Sequence, residues 1–338
     1  MTEVTVLGID LAKNIFQLHG VDGNGRIVLR KKLNRKQLVL FVANLPRCMI
    51  AIEACGGSHF WGRKFREMGH DIRVISPQFV KPFVKSNKND VHDAEAIVEA
   101  ALRPSMRFVA LKSVEQQDAL CLHRVRERLI KGRTALINEV RGLLHEYGVV
   151  IPKGAGHLKS RMPEIIELSE NQLSPEIREL FAHLYKELCS YEERINFYDK
   201  KIHMQAKATE SCQKIMKIPG VGPLTATAIV ASIGNANLFK NGRQMSAWLG
   251  LVPRQNSSGG KTQLLGISKR GDSYVRKLLI HGARSVLIKN SMKEDKRTKW
   301  AKQLLERRGH NRACVALANK NARVIWKLLA TNEHYRAV

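Results

Sequence analysis

Acidic residues are scarce in this chain. Its 338 residues include 30 Asp and Glu against 57 Lys and Arg, a formal net charge of +27 at pH 7. Aromatic residues are few, at 6%, which gives no sign of a stacking platform with interleaved aromatics. No apolar run reaches the roughly 18 residues that a spanning helix needs, so no membrane partner is expected. The N-terminal stretch MTEVTVLGIDLAK has no basic segment ahead of an apolar one, so no secretory signal is expected. The cysteines at 48, 55, 121, 189, 212 and 314 form no C-x-x-C pair, which excludes a zinc site or disulfide framework and fits a reducing cytoplasm. No internal repeat is visible, which excludes a solenoid. What remains is a chain that is 44% apolar, enough for real cores, and long enough for two or three domains.

The positive excess is uneven. Residues 1–105 hold 16 basic and 10 acidic residues, 106–215 hold 18 and 15, and 216–338 hold 23 and 5, so the last third carries +18 of the total +27. These cations are interleaved with apolar residues rather than gathered in a tail. Nucleic-acid phosphate is the natural counter-charge, since each neutralised phosphate releases condensed counterions.

The first third reads as a mixed α/β sheet. VTVLGI at 4–9 is a β-rich run ending at Asp10, and 15–21 alternate in polarity. Asp22-Gly23-Asn24-Gly25 signals a hairpin turn, and 26–33 make a third strand. A helix begins at Asn34 and stops near Pro46. Residues 49–52 form a short buried strand ending at Glu53, a helix runs from Gly56-Gly57-Ser58 to Met68, and 72–75 form the next strand. Residues 114–147 then predict one long basic amphipathic helix and 176–208 a second, with a loop-rich crossing at 148–175 between them. Together they suggest an antiparallel coiled-coil arm, with Arg124, Arg126, Arg128, Arg133 and Arg141 left over for nucleic acid. From Ile215 onward short helices with many glycines are expected, including a Gly-hinged helical hairpin at IPGVGP.

Four acids sit where chemistry can use them. Asp10 and Glu53 end strands, and Asp90 and Asp93 lie three apart on one helix face. Such an all-oxygen set suits hard Mg²⁺, and two ions about 4 Å apart can hold both the attacking and the leaving oxygen of a phosphoryl transfer. Taken singly, Asp10 also fits a strand-end turn and Asp90 an ordinary N-cap. His92, between the two helix acids, points away from both.

These residues stand in longer motifs. GIDLAK at 8–13, IEACGGSHFW at 52–61 and KSNKNDVHDAEAI at 85–97 resemble the RuvC-type, ribonuclease-H-like half of the DEDD transposases of the IS-one-ten family, more closely its IS-eleven-eleven branch, with Piv-type DNA invertases as relatives. Asp10, Glu53, Asp90 and Asp93 fall on the D-E-D-D motif. Downstream, IPGVGPLTATAIVASIG, the stretch from WLGLVPRQNSSGG to LLIHGAR, and ALANKNARVIW resemble the family's C-terminal domain. The resemblance implies three parts: a RuvC-like catalytic domain at 1–105, a coiled-coil arm at 106–210, and a basic transposase domain with a helix-hairpin-helix element at 211–338. It also implies Mg²⁺ as cofactor, two ions with Mn²⁺ as substitute, and double-stranded donor and target DNA as substrates. A structured guide RNA, a homodimer or homotetramer, and a nucleoid-associated cytoplasmic site of action follow from it as well.

In the basic C-terminal part, Gly220 and Gly222 expose backbone N–H groups ahead of a helix, which is a phosphate-binding geometry, although a plain helix–helix turn has the same sequence. Ser257-Ser258-Gly259-Gly260 lies in an expected flexible loop with Arg254, Lys261, Lys269, Arg270 and Arg276 close by. Read alone, a Ser-Gly pair in a loop is a turn. The resemblance implies a catalytic serine in this domain and matches it to Ser258, with Ser257 and Ser268 in reserve. Trp248, Trp300 and Trp326 fit either base stacking or an apolar core. The resemblance thus implies a DNA strand-exchange enzyme working through a serine-linked intermediate. A hydrolytic Holliday-junction-type nuclease with a DNA-gripping C-terminal module is the alternative.

Overall fold

The computed structural model describes residues 3–85, 90–289, 296–331 and 333–336. Of the helix side chains, those of Asp90, Val91 and Lys289 lie outside the described set. The chain divides after Val114 into two compact units.

The first unit is built on one six-stranded sheet. Its strands are β1 (Val6–Asp10), β2 (Ile15–Val21), β3 (Ile27–Asn34), β4 (Met49–Glu53), β5 (Asp71–Ile75) and β6 (Phe108–Val109), in the order β3-β2-β1-β4-β5-β6. The β1–β2 and β2–β3 pairs are antiparallel, β1–β4 and β4–β5 are parallel, and β6 returns antiparallel to β5. The expected hairpin forms because the Asp22 carboxylate accepts from the backbone N–H of Asn24 and Arg26. Helix α1 (Arg35–Ala43) starts at Asn34 through a reciprocal capping box with Gln37. Helix α2 (Ser58–Glu67) follows β4, and the short α3 (Pro77–Val80) leads to α4 (Asp90–Ala101).

Alternation along the strands sorts the residues between two cores. Leu7, Ile9, Ile50 and Ile52 pack with Leu38, Val42, Trp61 and Phe65 beneath α1 and α2. The other face, with Ala51 and Ile75, packs against Ala96, Ile97 and Ala100 of α4. Gly8 lets α4 lie close, because a Cβ there would stand 2.6 Å from the Ala94 carbonyl oxygen.

The second unit begins with α5 (Val114–Glu146), α6 (Ala155–Glu167) and α7 (Pro175–Ala208). α5 and α7 run antiparallel: Arg126 meets Asp199, Gly132 lies against Tyr191, and Tyr147 meets Phe181. Along α7 the buried residues Phe181, Leu188, Ile195 and Ile202 recur every seventh position, so one stripe stays buried along its length. The loop-rich crossing expected at 148–175 instead contains α6, which buries Leu158, Met162 and Ile165 at helical spacing against both long helices. Pro163 reads as a helix breaker, yet it sits inside α6, and this packing outweighs the lost backbone bond.

The rest of the unit comprises α8 (Glu210–Met216), α9 (Pro223–Ile233), α10 (Gly242–Trp248), β7 (Pro253–Ser258), β8 (Lys261–Ile267), α11 (Ser273–Lys289), α12 (Lys296–Arg308) and α13 (His310–Thr331). Ile229, Met245, Leu279, Leu317 and Ile325 lie in its core. Two features differ from the expected run of short helices. α13 is 22 residues long, and β7 and β8 form a β-hairpin where a flexible loop was expected. Gly259 and Gly260, at φ +55° and +77°, supply the two left-handed residues of a tight two-residue hairpin loop. The chain up to Val114 belongs with the sheet, whose last strand β6 lies beyond 105, and the second unit holds both the arm and the C-terminal helices.

Candidate active site

Three of the four acids converge. Ile9 pairs with Ile52 in the parallel β1–β4 register, so Asp10 and Glu53 follow as neighbours at the ends of adjacent strands. Gly8, two residues before Asp10, faces α4, and so by the period of two does Asp10. Glu53 likewise shares the face of Ala51. Asp93 stands in the first turn of α4, and Asp90 begins that helix one turn earlier. All three described acids are half-buried. The Glu53 carboxyl is pushed above the ordinary carboxylate range, first by burial, then by the negative charges of Asp10 and Asp93. That mutual repulsion shows that the three carboxylates share one field.

Carboxylates alone, at strand ends and partly dry, form a donor set that fits a hard divalent cation. Among the described residues no three His, Cys, Asp or Glu side chains stand at a spacing that holds an ion. The side chain of Asp90, the fourth acid of the sequence motif, lies outside the described residues. Gln17 was not singled out from sequence. It pairs with Asp10 in the β1–β2 register and shares its face. The hairpin register was the signal that could have found it. Cys55, two residues beyond Glu53, is an exposed residue whose thiol lies on the inner side near the acids, and partial desolvation pushes that thiol up, with Glu53 and Asp10 adding to it.

Ser258 is exposed at the end of β7, paired across the hairpin with Lys261, and Arg254 is exposed on the same strand. Ser257 is exposed and accepts from the Gln255 side-chain amide. Ser268 differs, because its hydroxyl oxygen is buried with no partner among the described residues. Lys269 and Arg270 are exposed at the hairpin base.

Arg276 is corrected by the geometry. It is only 9% exposed, and its guanidinium donates to the carbonyls of Leu249 and Arg270, so it ties the hairpin base to α10 instead of facing solvent. The arm arginines also separate. Arg124 and Arg128, one turn apart, are exposed. Arg126 pairs with Asp199 on α7, Arg133 has its Nε buried, and Arg141 donates to the carbonyls of Pro152 and Gly154. The spacing of seven from Arg126 to Arg133 carries both onto the buried stripe. At the glycine turn, Gly220 at φ +87° lies against α11, where a Cβ on Gly282 would stand 1.9 Å from the Gly220 carbonyl oxygen. Close helix approach therefore accounts for Gly220, while Gly222 remains exposed ahead of α9.

Sequence reading missed a buried polar junction in the second unit. His123 of α5 donates from Nε2 to the Thr227 hydroxyl at 2.9 Å, which itself donates to the Pro223 carbonyl, and the Tyr274 hydroxyl donates to Nδ1 at 3.0 Å. Burial, then the Arg126 charge, lowers the His123 pKa to about 4, so it is neutral at physiological pH.

Residues 7–149 match a family model for DEDD-type IS110 elements described as "Transposase", and residues 212–298 match one described as "Transposase IS116/IS110/IS902 family". The chain is 51% identical over 336 residues to the transposase for insertion sequence element IS1111A of Coxiella burnetii, covering 99% of this chain and 92% of that one. It is 48% identical over 331 residues to a probable family 20 transposase of Pseudomonas aeruginosa, covering 98% of each. With the transposase for insertion sequence element IS1328 of Yersinia enterocolitica it shares 40% identity over 326 residues, 96% of this chain and 97% of that one.

Proposed function

The chain belongs to the IS116/IS110/IS902 family of insertion-sequence transposases, enzymes that act on DNA, and from that premise we propose how its residues carry out strand exchange. The convergence of Asp10 and Glu53, at the ends of adjacent strands, with Asp93 in the first turn of α4 is the observation that carries the reading. With Asp90 these residues would hold divalent metal, Mg²⁺ or in its place Mn²⁺. Two bound ions would polarise the scissile phosphate and neutralise charge on the attacking and leaving oxygens.

Ser258 is the proposed nucleophile. Its hydroxyl oxygen bonds to phosphorus, its proton leaves to solvent or a carboxylate, and the sugar oxygen departs with the bonding pair. The phosphoserine ester keeps the phosphodiester's bond energy for rejoining to a second strand. Arg254 and Lys261 on the same hairpin stabilise the charge that builds on the phosphate. Exposed Lys269 and Arg270, and Arg124 and Arg128 on the arm, supply phosphate contacts. Under this reading the partners are donor and target duplexes and a structured guide RNA encoded with the element. The arm is a coiled coil that joins copies into a dimer or tetramer.

The test is strand exchange between labelled donor and target duplexes in the presence of the element's own RNA. Replacing Asp10, Glu53, Asp90 or Asp93 by Ala removes exchange while the chain still unfolds cooperatively, and chelator removes it from the unaltered protein. Exchange surviving in any of these overturns the assignment.

A further inference from the structure

The second unit contains a groove of about 1440 Å³ that the reading above leaves unused. Small-molecule sites are typically about 300–1,000 Å³, so its size suits a polymer segment better than a metabolite. One wall is the face of α13 that carries Arg312, Lys320, Arg323 and Lys327, which span about 22 Å at the helical rise. Arg243 and Arg336 add two more cations at the rim. The one acid in the lining, Glu333, is already paired with Lys327 at 3.1 Å. Between the cations the surface is apolar and aromatic: Leu265 and Ile267 from the base of the hairpin, Val315 from α13, and Trp300, Trp326 and Tyr335. The Lys320 ammonium lies 4.6 Å from the centre of the Trp300 ring.

We propose that this groove holds an unpaired stretch of nucleic acid, its bases against the apolar wall and its phosphates along the α13 cations. The inference rests on the nucleic-acid reading of this unit. Unpaired bases have apolar faces that stack on aromatic side chains, and the phosphates beside them need cations at regular intervals. A duplex turns its bases inward and would leave the apolar wall uncovered. The groove also adjoins the strand pair that ends at Ser258. At about 3.3 Å per residue, the four steps along β8 from Leu265 on the groove wall to Lys261, the partner of Ser258, place the proposed nucleophile about 13 Å from the groove. A strand gripped there is therefore held at a fixed offset from the proposed nucleophile.

The test uses the full chain and fluorescent oligothymidylate and oligouridylate of about a dozen nucleotides, within the range of single-strand sites, with a duplex of mixed sequence as comparison. Two variants address the groove by different means. Ala316→Trp fills it, and the paired change Arg312→Glu with Arg323→Glu reverses exposed charges and spares the fold. Each is expected to weaken binding of at least one single strand about tenfold or more and to leave duplex binding within about twofold. An oligonucleotide carrying a photoreactive uracil is expected to crosslink to Trp300 or Tyr335.

Unchanged single-strand affinity in both variants, with the unaltered protein binding normally, overturns the groove alone. Failure of the unaltered protein to bind any oligonucleotide overturns the nucleic-acid reading with it. Groove-dependent binding of oligoglutamate, without groove-dependent binding of either oligonucleotide, assigns the surface to an acidic protein segment and also overturns the proposal.

Discussion

At the residue scale, two titrating groups respond to pH in opposite senses. His123 is neutral in the fold with a pKa lowered to about 4, against about 6.5 when unfolded. As pH falls from 6.5 to 4 the unfolded chain takes up a proton that the folded chain refuses, so stability present above pH 6.5 is lost across that window. The loss is about 3 kcal/mol at most. A denaturant series at stepped pH should show it, and His123→Gln should flatten the slope. Glu53 is raised, so its ionisation is disfavoured by the fold, and stability falls as pH rises through its folded-state value. In chelator at neutral pH, Glu53→Gln should therefore raise the thermal midpoint by a few degrees. A lower midpoint would mean that the carboxylate is not strained by Asp10 and Asp93. Divalent cation should raise the midpoint of the unaltered protein and not that of the variant.

At the element scale, α4 must lie close on β1 for Asp93 to face Asp10. Gly8→Ala forces the Ala94 carbonyl away and should cost about 1–3 kcal/mol, with loss of strand exchange although no acid is removed. Full activity would show that the helix can shift without disturbing the site. On the arm, Arg124→Gln with Arg128→Gln should lower the salt slope of nucleic-acid binding by about one per lost contact, while Arg126→Gln should chiefly lower the thermal midpoint by breaking its pair with Asp199. These elements also show what could be read from the sequence. The first five sheet strands and α1 were legible because turn and capping signals are local: Asp22 and Asn34 each bond within four residues, whereas the two-residue β6 carries no such signal. The β7–β8 hairpin was not, because both strands are exposed and carry no apolar alternation, leaving only Gly259-Gly260 as a mark. α6 was hidden by Pro163, and the roles of Arg126 and Arg276 depended on partners 73 residues away or on carbonyls at a distant turn.

At the scale of the whole molecule, the four acids lie in the first compact unit and Ser258 in the second. The acids could be singled out because strand-end carboxylates have a local context, and the grouping of Asp10 with Glu53 follows from β1–β4 pairing. The serine has no such context in residue chemistry, and its proposed role rests on the family motif around it. The account's central claim is that Ser258 forms the covalent link to DNA in a reaction that also needs the four acids. The most direct measurement mixes the protein with Mg²⁺, the element's RNA and end-labelled DNA, denatures the mixture, and digests any protein–DNA adduct to find the attached residue. The account predicts an adduct that survives denaturant, maps to Ser258, and is absent in Ser258→Ala and in Asp10→Ala. Attachment at Ser257 or Ser268, or cleaved ends accumulating with no adduct, would contradict it, and the second outcome would instead identify a hydrolytic junction nuclease.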